Sequence, residues 1–171
     1  MSTRNFLLSV FSFGVGACLL LPASAAELPK EGTCHVKSKA DGKQTVDSLS
    51  AKVDGISSWD ETYEIISVDC GQAQLPPRKT HCFGLDELDG KFAASTGYCI
   101  DTDQDNDKII WEIAPSKEPQ YALTLSSSTD VLMASGKYTG MSGKSTSDCT
   151  HGGSLSSYVG HCDVERTFKF P

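Results

Sequence analysis

Behind its first 26 residues the chain shows apolar side chains in short runs separated by turn formers, and no window long enough for a helix keeps a 3.6-residue apolar repeat. Segments rich in β-branched and aromatic residues predict strands at 33–39, 44–53, 59–68, 91–100, 108–113, 121–126, 131–139 and 158–170. Asp41-Gly42 and Asp54-Gly55 read as hairpin turns because both residue types tolerate positive φ. Gly71 to Thr80, with Pro76-Pro77, and Ala114 to Pro119, with two prolines, read as loops. Ser126 to Asp130 is a polar interruption, and Gly140 to Ser157 is a Gly/Ser-rich connection pinned by Cys149. The one place for a helical turn is His81 to Leu88, where Leu85-Asp86-Glu87-Leu88 precedes Gly90. About eight short strands with regular turns point to an all-β domain: a single antiparallel barrel of calycin-like type, with a β-sandwich as the alternative.

The first residues have a different character. Met1 to Asn5 carries Arg4 and no acid, Phe6 to Leu21 is apolar, Pro22 breaks the run, and Ala23 to Ala26 supplies small residues. This layout predicts a secretory signal peptide over 1–26, cut after Ala25 or Ala26, with one domain over 27–171. Ser9, Ser12, Gly14 and Gly16 dilute the apolar run below what a membrane anchor needs. Val15-Gly16-Ala17-Cys18 offers a lipoprotein alternative through Cys18, opposed by Leu19 to Leu21, which extend the apolar segment past that cysteine. The leader predicts export, to the periplasm or outside the cell, with no membrane span after cleavage.

Six of the seven cysteines follow the leader: Cys34, Cys70, Cys82, Cys99, Cys149 and Cys162. An even number behind an export signal predicts a disulfide framework. Short loop closure favours Cys70 with Cys82 and Cys149 with Cys162, leaving Cys34 with Cys99. The net charge is −7, and Arg78-Lys79 is the only adjacent basic pair after the leader. That surface argues against nucleic acid and anionic membrane as partners, since both need cationic groups to displace counterions.

Two patterns suggest chemistry. Asp101, Asp103, Asp105 and Asp107 alternate, with Glu112 further on, in a spacing that overlaps the calcium loop of an EF-hand. Asn106 stands where that loop wants glycine, and the flanks read as strands, so a solvated acidic hairpin turn competes with a calcium site. No other cofactor is expected. Each of the four histidines lies next to or near a cysteine (Cys34-His35, His81-Cys82, Cys149-Thr150-His151, His161-Cys162). Adjacent strand residues face opposite ways, and oxidised cysteines are not thiolate ligands, so a shared metal site is disfavoured. No Gly-x-Ser-x-Gly elbow appears. Acid-base work would fall to carboxylates among apolar residues, drawn from Glu61, Glu64 and Glu112. Tyr63, Glu64 and Glu112 are the candidate polar groups inside a barrel.

Gly97-Tyr98-Cys99-Ile100-Asp101-Thr102-Asp103, followed by Gly136-Lys137-Tyr138-Thr139-Gly140-Met141-Ser142-Gly143, resembles small secreted bacterial proteins with an allene-oxide-cyclase-like or dirigent-like β-barrel. The resemblance implies an eight-stranded barrel whose cavity, in plant relatives, holds a hydrophobic small molecule. It brings over no catalytic residue. The leading expectation is a non-catalytic exported barrel that binds a small apolar ligand or a protein partner. An isomerase or cyclase using the barrel cavity is one alternative, and a structural or inhibitory surface protein is another.

Overall fold

A computed structural model describes residues 28–48, 54–71, 78–89, 91–119, 124–154 and 156–171. The leader, Cys18 included, lies outside the described residues. Eight strands follow in order: β1 (Glu31–Ser48), β2 (Asp54–Asp69), β3 (Arg78–Asp89), β4 (Phe92–Asp103), β5 (Lys108–Pro119), β6 (Thr124–Ala134), β7 (Ser142–Ser154) and β8 (Ser157–Lys169). A 3-10 turn, Gly136–Tyr138, joins β6 to β7. Each strand pairs antiparallel with the next, and β1 pairs with β8, so the sheet closes on itself as a barrel and not a sandwich.

Alternation decides which residues reach the interior. On β3, Thr80, Cys82, Asp86 and Leu88 are buried while His81, Phe83, Leu85 and Glu87 are exposed. This strict period of two overrides the expected helical turn at His81 to Leu88. β1 also runs straight through Asp41-Gly42, because both continue in register with Thr62 and Glu61 of β2 and with β8. Gly42 serves packing, not turning: a Cβ there would lie 2.5 Å from the ring of Tyr158. Asp54-Gly55 opens β2, Ser126 to Asp130 lies within β6, and the Gly/Ser-rich stretch is mostly β7.

The expected loop at Ala114 to Pro119 is likewise strand, paired with β4 on one side only. Its ladder to β6 ends at Ile113 with Thr129. Beyond that pair no ladder joins 114–119 to 124–128 among the described residues, and Pro115 has no N–H to offer. Among the described residues the wall therefore has a seam between β5 and β6.

Three disulfides cross-link the barrel: Cys34–Cys70, Cys82–Cys99 and Cys149–Cys162. The last agrees with the expectation from loop length, and the other two correct it. Register is the reason. Cys82 stands opposite Glu61 on β2 and opposite Cys99 on β4, whereas Cys70 lies beyond the far end of β2, separated by about 30 Å of strand. The three bonds belong to an oxidising compartment.

One end of the barrel is filled. Cys34, Val36, Ile109, Trp111, Tyr138, Met141 and Phe168 form its apolar core, covered by the 3-10 turn. The space above this core is the candidate site.

Candidate functional site in the barrel interior

A cavity of about 570 Å³ extends from the filled end toward the end that carries the β1–β2, β3–β4, β5–β6 and β7–β8 connections. Val36, Ile65, Leu88, Ile113, Leu125 and Val164 give it apolar walls, and the Cys82–Cys99 and Cys149–Cys162 bonds lie along its sides. Both tryptophans of the chain, Trp59 and Trp111, face it. At the seam Ser116, Leu125, Ser126 and Ser127 border it, so both faces of β6 contribute there. Asp101, Glu61 and Asp86 project inward at three levels.

At the floor, Asp101 is fully buried on β4. Thr80 donates to its Oδ1 at 2.5 Å, and Trp111 Nε1 donates to its Oδ2 at 3.0 Å. Arg166 Nη1 donates to the same Oδ2 at 2.6 Å, and Arg78 lies 3.3 Å from it. Burial opposes ionisation of Asp101, but Arg166 and Arg78, helped by Thr80 and Trp111, outweigh it and hold the carboxyl below its usual pKa. Arg78 is pushed down by burial and by Arg166, partly offset by Asp101. The Arg166 guanidinium lies over the Trp111 ring at 5.2 Å, and its buried Nε has no hydrogen-bond partner among the described residues.

In the middle, Glu61 of β2 is bound by two phenols. Tyr63 donates to Oε2 at 2.5 Å and Tyr158 to Oε1 at 2.6 Å, while His151 Nε2 stands 3.8 Å from Oε1. Burial first, and Glu61 second, push the pKa values of Tyr63 and Tyr158 well above the usual tyrosine value, so both remain donors at neutral pH. His151 packs edge-on against Tyr158 with ring centres 5.4 Å apart, and its buried Nδ1 has no partner among the described residues. Gly160 makes room for it, since a Cβ there would lie 3.0 Å from the imidazole.

Toward the upper end, Asp86 of β3 is fully satisfied. Trp59 and Ser95 donate to Oδ1 at 3.0 and 2.7 Å, and Gln44 and Ser57 donate to Oδ2 at 2.8 and 3.0 Å. This network fixes the indole of Trp59. Its ring lies across Gly84 and Gly97, where any Cβ would collide with it.

The residues singled out in the sequence divide accordingly. Tyr63 faces the cavity, but Glu64 and Glu112 are exposed on the outer wall, which corrects their expected inward placement. Parity explains it: Trp59, Glu61 and Tyr63 share one face of β2, so Glu64 takes the other, and Glu112 lies between the inward Trp111 and Ile113. The acidic segment also splits. Asp101 belongs to the floor, while Asp103, Asp105 and Asp107 surround the Lys137 ammonium at 2.6, 2.6 and 4.0 Å. Asp103 Oδ1 accepts the backbone N–H groups of Asp105 and Asp107, and Tyr138 donates to its Oδ2 at 2.9 Å. Asn106 turns the chain with φ of 65°, a conformation that asparagine tolerates. His35, His81 and His161 point outward beside inward cysteines; His151, two residues after Cys149, points inward.

No protein-family model matches the chain, and no curated protein matches it. Among solved structures it is similar to the pterocarpan synthase dirigent protein GePTS1, with a TM-score of 0.50 over 83% of this chain and 93% of that one, at 9% identity. At this identity the likeness is one of fold: the chain has a dirigent-like eight-stranded barrel, cross-linked by disulfides.

Proposed function

We propose that the barrel interior binds a small, largely apolar molecule, and that the protein does so after export directed by residues 1–26. The observation that carries this reading is the cavity itself. Its volume of about 570 Å³ lies in the range of small-molecule sites, and its apolar walls are interrupted by a few convergent polar groups, as such sites are. The solved barrel it resembles is a pterocarpan synthase dirigent protein, which places that relative among proteins of small-molecule chemistry, an argument by fold analogy.

Trp59 and Trp111 both line the cavity, so intrinsic emission reports its occupancy. Titration with compact apolar compounds is expected to shift or quench that emission saturably, and native mass spectrometry of protein from its own host is expected to show a small adduct that denaturation releases. Emission indifferent to every such compound, together with an adduct-free mass, overturns the reading.

One observation favours a second reading, an isomerase or cyclase. Glu61, His151, Tyr63 and Tyr158 gather a carboxylate, an imidazole and two phenols at one level of the lumen, a set able to move protons on a bound molecule. Chemical change of a bound compound that is lost in Glu61→Gln, with binding retained, distinguishes this reading from simple binding.

A further inference from the structure

We infer that Arg166 forms an anion-binding subsite at the cavity floor, so that the molecule held in the barrel is a compact monoanion: an apolar body ending in a carboxylate or an equivalent acceptor. The inference rests on the lumenal binding site proposed above and specifies its ligand.

Charge balance is the first argument. Two guanidinium groups, Arg166 and Arg78, converge on one oxygen of Asp101. The next inward carboxylate on the same strand, Asp103, is already engaged by Lys137 and Tyr138. The two guanidinium groups thus share a single oxygen of Asp101 in a low-dielectric space, and neither has a carboxylate to itself.

Hydrogen bonding is the second. The side chain of Arg166 lines the cavity, yet its buried Nε donates to nothing among the described residues, whereas its Nη1 is committed to Asp101. Buried donors almost always find partners, and an arginine with one edge occupied still presents a planar donor to a carboxylate. Trp111 beneath the guanidinium holds that plane in place. The other lumenal carboxylates do not compete for the subsite. Glu61 is bound through both oxygens by Tyr63 and Tyr158, and Asp86 is satisfied by four donors nearer the opposite end. An anionic head therefore belongs at the floor, with the apolar body extending toward Leu125 and Trp59.

The test compares two probes with one body and different heads, 1-adamantanecarboxylate and 1-adamantanemethanol, by calorimetry and tryptophan emission on the whole disulfide-bonded protein. Wild type is expected to bind the carboxylate at least tenfold more tightly than the alcohol. In Arg166→Gln the ratio is expected to fall to near one, and in Arg166→Lys, which keeps the charge but loses the planar fork, to an intermediate value. Equal wild-type affinities overturn the inference while leaving lumenal binding intact, and this comparison needs no variant to fold. A carboxylate preference that persists in Arg166→Gln overturns the assignment to Arg166. Binding of neither probe overturns the subsite, while the lumenal site is judged by the wider emission titration and native mass described above.

Discussion

Tyr158 donates its phenol proton to Glu61 across 2.6 Å, joining residues 97 apart in sequence through the interior of the barrel. β1 stands between the two strands they occupy, so this bond braces the cylinder across its lumen where the backbone ladder cannot. Tyr158→Phe removes a buried hydrogen bond to a carboxylate, and the expected loss is about 1.5–3 kcal/mol. Urea unfolding with an unchanged slope measures it.

Three phenols have raised pKa values: Tyr63, Tyr138 and Tyr158, in each case chiefly through burial and then through a neighbouring carboxylate. The unfolded chain ionises its tyrosines near pH 10, whereas these three stay protonated in the native state. Their contribution is therefore whole below about pH 10 and is lost progressively above it. Alkaline absorbance titration is expected to show these three tyrosines ionising together with unfolding. Smooth ionisation of all five in the folded protein would contradict the buried placement.

Asp101 behaves in the opposite sense. Arg166 and Arg78 hold its carboxyl below the ordinary value despite its burial, so its stabilising effect is whole above about pH 4 and is lost as pH falls through the lower native value. Asp101→Asn leaves two buried guanidinium groups without their counter-ion, and the expected cost at neutral pH is about 3–5 kcal/mol. The variant's melting temperature is also expected to vary less with pH below 4 than that of wild type.

Lys137 occupies the space among Asp103, Asp105 and Asp107. Hydrogen bonds to Asp103 and Asp105 raise its pKa, so it remains a cation throughout the neutral range. Lys137→Met is expected to lower the melting temperature more than Lys144→Met, which removes an exposed pair with Asp130. Millimolar calcium is expected to leave wild-type melting unchanged, because the ammonium already sits among the carboxylates.

The three disulfides close loops with sequence separations of 36, 17 and 13 residues. Loop-closure entropy ranks them in that order, at about 4 kcal/mol for Cys34–Cys70 and about 3 kcal/mol for each of the others. Pairwise replacement by alanine, followed by chemical denaturation, is expected to return that ranking.

The strand content and the barrel were legible because turn formers and β-branched runs recur along the chain. What misled was an interior more polar, and an exterior more apolar, than a simple reading assumes. On β3 the inward set includes Asp86 while Phe83 and Leu85 point outward, so the alternation that would have marked a strand was hidden. Tyr63 lines the cavity, and of the carboxylates the sequence offers beside it Glu61 shares its face whereas Glu64, its immediate neighbour, faces out. Arg166 meets Asp101, and His151 meets Glu61, only through the closure of distant strands into one barrel, and no local pattern announces either meeting. The disulfide pairs required the same information.

A cylinder stitched by backbone bonds resists widening in proportion to the stitches that must break. Between 114–119 and 124–128 the described residues make none, and that stretch lies against the upper cavity. Parting the wall there would open the lumen at the cost of no ladder among the described residues, so the barrel's resistance to widening is uneven around its circumference.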